Sequence, residues 1–187
     1  MNFTPTNIAG AWFVNSSVHE DDRGSFQEWF KHEEILKATG FNFSVAQANF
    51  SKSKLGVVRG IHYSLANEGQ AKWVTCVKGA IRDVAVDIRR TSPTYGQYVA
   101  VDLAGGDGQS ILIGSGLGHG FISLEEGSLV SYLLSSPYST GEEFEINPLD
   151  SAIGIDWGMP SQKMIFSTKD SAAPSLSERL QSQQLPS

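Results

Sequence analysis

Arg59 and His62 stand three residues apart around one glycine in the stretch Val57 to Tyr63, VVRGIHY. The rest of the stretch is apolar and aromatic, and Val, Ile and Tyr favour a pleated strand. Strict alternation puts Arg59 and His62 on opposite faces of a flat strand. Both reach one pocket only if the strand kinks. A glycine inside such a run marks a bulge or a close backbone approach, so Gly60 allows the kink. The plain alternative is a core histidine beside a surface arginine.

Three more residues stand out as polar groups in apolar runs: Lys72, His119 and Tyr132. Each has a structural reading: Lys72 as a strand end with a buried stem, His119 as a loop residue, Tyr132 as a core aromatic with a bonded hydroxyl. Taken together, a histidine, a lysine and a tyrosine are the parts for proton transfer next to a carbonyl. The histidine serves as a base near neutral pH. The lysine stabilises an enolate oxygen as charge develops. The tyrosine returns a proton from the other side. The lone Cys76 lies in the apolar run Trp73 to Val77 and reads as a buried structural thiol.

These groups need strands to hold them. The segments Lys72–Val77, Ala80–Ile88, Tyr98–Leu103, Ser110–Ile113, His119–Leu124 and Leu129–Leu134 are short, apolar and separated by turn residues. Asn67 to Gln70, Lys78-Gly79, Thr91 to Gly96 and Gly105 to Gly108 are the turns. Upstream, Ala11 to Val18 alternates loosely, Asp21 to Gly24 reads as a turn, and Ser25–Phe30 and Phe43–Ser51 read as strands. One helix is expected at His32–Thr39, stopped by Gly40. Strands so closely spaced, with almost no helix between them, predict an all-β antiparallel sandwich or barrel. We expect a single domain over residues 1–187, with a peripheral tail from about residue 175 that holds at most one short helix. Such barrels carry their sites in the mouth or interior.

Composition narrows the function. With 187 residues, of which 40% are hydrophobic, the chain can bury a real core and is not disordered throughout. A net charge of −6 argues against nucleic acid as a partner. An anionic small molecule is still admitted, because a few local Arg and Lys residues can outweigh the global sign. The N-terminal MNFTPTNIAG has no signal pattern, and no apolar run is long enough to span a bilayer. A cytoplasmic protein without membrane contact is the expectation. Metal-binding cupin barrels share this strand pattern but place two histidines one residue apart, and here His62 is followed by Tyr63 and Ser64. Glu68, the nearby acid, sits in a turn. The chain has four histidines and no cysteine pair, so no metal site is expected.

Read in order, the motifs are Asp22-Arg23-Gly24, Phe26 and Glu28, Gln47-Ala48-Asn49, Arg59 to Tyr63 and Gln70-Ala71-Lys72. They continue with Asp83 to Arg89, Ser92 to Gly96, Gly118 to Phe121, Tyr132 and Lys169-Asp170. From about Ala11 to Leu176 the chain resembles the dTDP-4-dehydrorhamnose 3,5-epimerase family. The resemblance implies a metal-free, cupin-type jelly-roll barrel of antiparallel strands with a few short helices, and no cofactor. It implies a dTDP-linked 4-keto-6-deoxyhexose as substrate. His62 is then the base, Asp170 its partner, Tyr132 the acid and Lys72 the enolate stabiliser. Arg23, Glu28, Gln47, Asn49, Arg59, His119, Glu143 and Lys169 bind sugar, diphosphate and base, with Phe26 and Tyr138 as walls or stacking partners. Family members form homodimers by exchanging strands, and the same is expected here. Two departures stand in the link before His119: Gly114 and Gly118 occupy positions where the family often has Pro and Ala. A single-centre epimerase needs the same base and acid, so the motifs do not separate it from a two-centre one. A non-catalytic nucleotide-sugar-binding barrel has no need of the His62, Asp170, Tyr132 and Lys72 set.

Overall fold

A computed structural model describes residues 1–66 and 69–187. Part of the turn expected at Asn67 to Gln70, including Glu68, lies outside the described residues. The first strands are β1 (Asn2–Pro5), β2 (Ala11–Asn15), β3 (Val18–Asp21) and β4 (Gly24–Gln27), followed by helix α1 (His32–Thr39). Next come β5 (Gln47–Ser53), β6 (Val58–Ser64), β7 (Lys72–Lys78), β8 (Ala80–Asp87) and β9 (Tyr98–Ala104). Then follow β10 (Gln109–Ile113), β11 (Leu117–Ser123), β12 (Ser128–Leu134) and β13 (Glu143–Glu145). Helices α2 (Thr168–Ser171) and α3 (Leu176–Gln181) lie near the end.

Two sheets make an all-β jelly-roll barrel. One has the order β1-β2-β10-β7-β12-β5, the other β13-β6-β11-β8-β9, and the pairings between these strands are antiparallel. Alternation along each strand sorts the side chains. On β7, Val74 and Cys76 face the interior cluster between the sheets, while Trp73 faces the outer side of the first sheet. Lys72 is in phase with Val74 and points inward. On β12, Val130 and Tyr132 belong with the interior and Leu133 with the outer side. On β11, Leu117 and Phe121 point in, His119 is in phase with them, and Ile122 points out.

Each outer face is covered. Helix α1 lays Ile35 on the first sheet beside Phe43, Trp73 and Leu133. It spans the residues that its sequence predicts, and Gly40 closes it in the left-handed region at φ 72°. Phe43, expected in a strand, is fully buried under this helix instead, so β5 starts at Gln47. The strand expected from Ser25 stops at Gln27, because Trp29 and Phe30 turn onto the same outer cluster. The second sheet is covered by the last forty residues, through Ile153, Trp157, Leu176 and Leu185. The tail, expected to be peripheral, is thus anchored: Tyr63 donates its hydroxyl to the Gln184 carbonyl at 2.6 Å. Each large apolar side chain buried there contributes about 2 kcal/mol.

Strands β3 and β4 pair only with each other, outside both sheets. Phe26 on this hairpin is 65% exposed.

Candidate active site

The kink expected at Gly60 is present. His119 pairs with His62, but Phe121 pairs with Arg59, so Gly60 and Ile61 together oppose the single Gly120. This is a bulge, and it shifts the alternation by one residue. Val58, Ile61 and Tyr63 turn outward into the second outer cluster. Arg59 and His62 both turn into one cavity. Only glycine fits the bulge: φ is 116°, and a Cβ would lie 2.5 Å from the His119 carbonyl oxygen. The Gly60–Ile61 peptide bond is cis.

The cavity opens between the sheets and holds about 480 Å³. The first sheet supplies Gln47, Asn49, Phe50, Lys72, Tyr132 and Leu134. The second supplies Arg59, His62, His119, Phe121, Glu143 and Phe144. Loops and α2 add Gln70, Tyr138, Ser167, Lys169 and Asp170. Arg59, Lys72 and Lys169 bring three cationic side chains into a chain of net charge −6.

His62 and Asp170 form the tightest polar contact here, Nε2 to Oδ1 at 2.6 Å. A carboxylate only accepts, so Nε2 carries the proton. Nδ1 has no hydrogen-bond partner among the described residues. Asp170 is buried, and Ser167 holds its other oxygen by donating at 2.8 Å. Ser167 also caps α2, accepting from the Asp170 amide. Burial alone raises the Asp170 carboxyl, but the hydrogen bond and charge of His62, helped by Ser167 and Lys169, hold it below the usual carboxylate value.

Lys72 is almost wholly buried, and Nζ donates to the His62 carbonyl at 3.1 Å. Burial pushes the ammonium down to about 8, against the opposing charges of Glu143 and Asp83. Tyr132 stands opposite Asn49 in the β12–β5 ladder. Burial raises its phenol, while the Arg59 charge and a hydrogen bond with Asn49 pull the other way. His119 donates to Asp83, whose oxygens lie at 2.9 and 3.1 Å. Burial lowers the His119 pKa against the pull of Asp83, while Lys72 and His62 lower it further.

Around them sits a ring of polar side chains. Arg59 donates to Ser53 Oγ at 3.1 Å and the Lys52 carbonyl at 3.3 Å. Gln47 donates to Asn49 at 3.0 Å and accepts from the Tyr138 amide at 3.0 Å. Glu143 accepts from Gln70 at 3.4 Å, and Lys169 lies 2.9 Å from Glu145. Three residues named from the sequence are not in this cavity. Arg23 pairs with Asp21 at the hairpin tip, Phe26 is exposed on β4, and Glu28 pairs with Lys31. Within one chain, the detached hairpin carries Arg23 and Phe26 away from the barrel.

Asp83 and Ser167 escaped the sequence reading as site residues. Asp83 alternates with valines and looks like a solvent-face acid, but both faces of β8 are buried. Ser167 had a readable signal: a serine three residues before an acid is a helix cap. Among the described residues, no group of three His, Cys, Asp or Glu side chains is gathered to hold a metal ion.

The family model for dTDP-4-dehydrorhamnose 3,5-epimerase matches residues 5–178. The dTDP-4-dehydrorhamnose 3,5-epimerase of Mycolicibacterium smegmatis is 45% identical over 172 residues, covering 92% of this chain and 84% of its own. A solved epimerase from Mycobacterium tuberculosis superposes with a TM-score of 0.96 at 37% identity, covering 100% of this chain and 94% of that one. A 3'-monoepimerase from Streptomyces bikiniensis, solved in complex with dTDP-quinovose, gives a TM-score of 0.92 at 38% identity and covers 98% and 92%. The barrel is of the cupin type that these structures share.

Proposed function

The chain belongs to the dTDP-4-dehydrorhamnose 3,5-epimerase family, and from that premise we propose how its cavity works. It is a carbohydrate epimerase of dTDP-L-rhamnose biosynthesis, converting dTDP-4-dehydro-6-deoxy-D-glucose to dTDP-4-dehydro-L-rhamnose. His62 removes the hydrogen from a carbon flanking the ketone. With the Nε2 proton committed to Asp170, Nδ1 is the nitrogen that accepts it, and Asp170 stabilises the resulting imidazolium. The electron pair moves onto the carbonyl oxygen, and the Lys72 ammonium meets the charge that develops there. Tyr132 delivers a proton to the opposite face of the same carbon. The ketone is the electron sink, so the reaction calls for no organic cofactor. It acidifies both neighbouring carbons, so one base and one acid serve C3 and C5 in turn.

One observation carries this reading: His62 and Tyr132 face one cavity from the two different sheets. Inversion needs a base and an acid on opposite sides of a ring, and a barrel interior supplies opposite walls. Arg59 and Lys169 are placed to bind the diphosphate, with Arg59 able to donate in parallel. Gln47, Asn49, His119, Glu143 and Tyr138 bind or wall the rest of the sugar nucleotide.

The protein works as a homodimer whose N-terminal segments are exchanged. The support is the β3–β4 hairpin, which stands apart with an exposed phenylalanine and leaves Arg23, Phe26 and Glu28 out of their own chain's cavity. We place the enzyme in the cytoplasm, a reducing compartment that suits a free, buried Cys76. No described helix is long and apolar enough to cross a membrane.

The test uses dTDP-4-dehydro-6-deoxy-D-glucose in heavy water, followed by NMR, with His62→Ala in parallel. Deuterium at both C3 and C5, lost in the variant, is the expected result. Deuterium at one carbon means a single-centre epimerase. Bound substrate with no exchange means a non-catalytic sugar-nucleotide barrel and overturns the catalytic roles.

A further inference from the structure

Arg179 lies in α3, outside the cavity and one residue beyond the stretch matched by the family model. It is 7% exposed, and all three guanidinium nitrogens are engaged. Nε donates to the Glu145 carbonyl at 2.9 Å, Nη2 meets Glu145 Oε1 at 3.3 Å, and Nη1 donates to Gln184. Its Cζ sits 5.2 Å from the Phe144 ring centroid, and that ring stacks on Tyr63 at 5.8 Å. The target of these contacts is β13, a three-residue edge strand that brings Glu143 and Phe144 to the cavity. So short an edge strand gains little from its own ladder, and the planar fork of an arginine holds both its backbone and its side chain.

The same contacts reach the binding cations. The Glu145 side chain is 16% exposed and lies between two positive groups, Arg179 on the tail side and Lys169 on the cavity side. Lys169 Nζ is 2.9 Å from Oε2, yet that oxygen has no aligned hydrogen-bond donor among the described residues. Lys169 is paired with that carboxylate at the cavity side, and its side chain is 57% exposed. Arg179 supplies the other counter-charge for the same carboxylate. Without it, Glu145 would be a mostly buried anion with Lys169 as its single cationic neighbour here, and would grip that ammonium harder.

We propose that Arg179 is a positioning residue that fixes β13 and shares the charge of Glu145, leaving Lys169 free to turn to the diphosphate of the bound nucleotide. This rests on the reading of the cavity as a dTDP-sugar site.

The experiment compares the full-length enzyme with Arg179→Met, Glu145→Gln and the double variant. Methionine keeps an unbranched apolar stem against Phe144. KM and kcat are measured with the keto sugar, and dTDP affinity is measured separately by calorimetry. Arg179→Met should raise KM and the dTDP dissociation constant by about fivefold or more, with kcat changed less than about threefold. Adding Glu145→Gln removes the carboxylate that traps Lys169, so both constants should return to within about threefold of the parent. A folded Arg179→Met enzyme with unchanged constants overturns the proposal. So does a double variant no better than Arg179→Met, which would make the arginine a purely structural clamp. A parent enzyme that binds dTDP normally but does not turn over defeats the catalytic reading alone. A parent that does not bind dTDP defeats both.

Discussion

In the mechanism proposed above, Lys72 works as a cation in a place that disfavours cations. Its pKa is lowered by burial to about 8, and its task at the enolate oxygen needs the ammonium. Activity should therefore fall above pH 8 as that proton is lost. Stability moves the other way. Between pH 8 and the ordinary lysine value the unfolded chain binds a proton that the folded chain has released, so this group's contribution to stability rises with pH. The cost of keeping Lys72 charged is fully present below pH 8 and is on the order of 3 kcal/mol. Lys72→Met should melt higher than the parent at pH 7, lose that pH-dependent gain, and lose most of its turnover. A pH–rate profile beside thermal melts from pH 7 to 10 checks both signs. Asp170 offers the complementary case. Its carboxyl lies below the usual range, so the stability it contributes is present above the ordinary carboxylate pKa and disappears as pH falls through its folded value. Asp170→Asn removes the partner of the imidazolium, and kcat should fall roughly 10²-fold while KM changes little, by steady-state kinetics.

At the scale of the element, the bulge in β6 is what makes two residues into one site. A Cβ at Gly60 meets the backbone of β11 at 2.5 and 2.6 Å, and neither atom belongs to a side chain that can swing away. Gly60→Ala should cost roughly 3 kcal/mol or more. If the protein still folds, Arg59 and His62 no longer share a cavity and activity should be lost with it. Chemical denaturation and a turnover assay give the two numbers. Gly118 shows the milder version: there a Cβ meets Ile61 Cγ2 at 2.6 Å, a side chain rather than a backbone atom. The possibility of this kink was legible in the sequence, because a glycine inside a strand run permits a bulge, but the stretch alone read as readily as a core histidine beside a surface arginine. The helix at His32–Thr39 was legible too, from its glycine stop. The short strands β1 and β13 were not, since three or four residues with exposed or half-buried patterns carry no period. Asp83 was hidden for a different reason. Burial on both faces of β8 comes from the partner sheet and the tail, and no local pattern reports that. The anchoring of the tail by Arg179 and Leu185 was hidden in the same way, behind a composition that reads as polar.

The whole molecule raises the question of what the hairpin is for. Arg23 and Phe26 sit on a two-stranded sheet that pairs with neither sheet of the barrel, and Arg23 points its charge at Asp21 and solvent. A chain that spends a long apolar side chain and a guanidinium on such a loop gains nothing by itself. In the exchanged dimer proposed above, the same hairpin is the element that would reach the mouth of the other barrel, where the cavity rim carries exposed Phe50 and Tyr138. Two-fold symmetry then completes both sites at once. Light scattering at micromolar concentration should give twice the chain mass, and a monomer refutes the arrangement. Complementation separates a dimer that shares sites from one that merely touches. In the proposed arrangement, His62→Ala lacks the base, and Arg23→Ala lacks a binding group that acts in the partner's cavity. Each alone should be severely impaired. In a mixed dimer, the Arg23→Ala chain keeps its own His62 and receives the intact hairpin of the His62→Ala chain, so one of its two sites is whole. Random reassortment makes half of the dimers mixed, so co-refolded variants should recover about a quarter of parental activity. If Arg23 instead served its own chain's cavity, no site in the mixture would have both groups, and activity would stay at the level of the two variants alone.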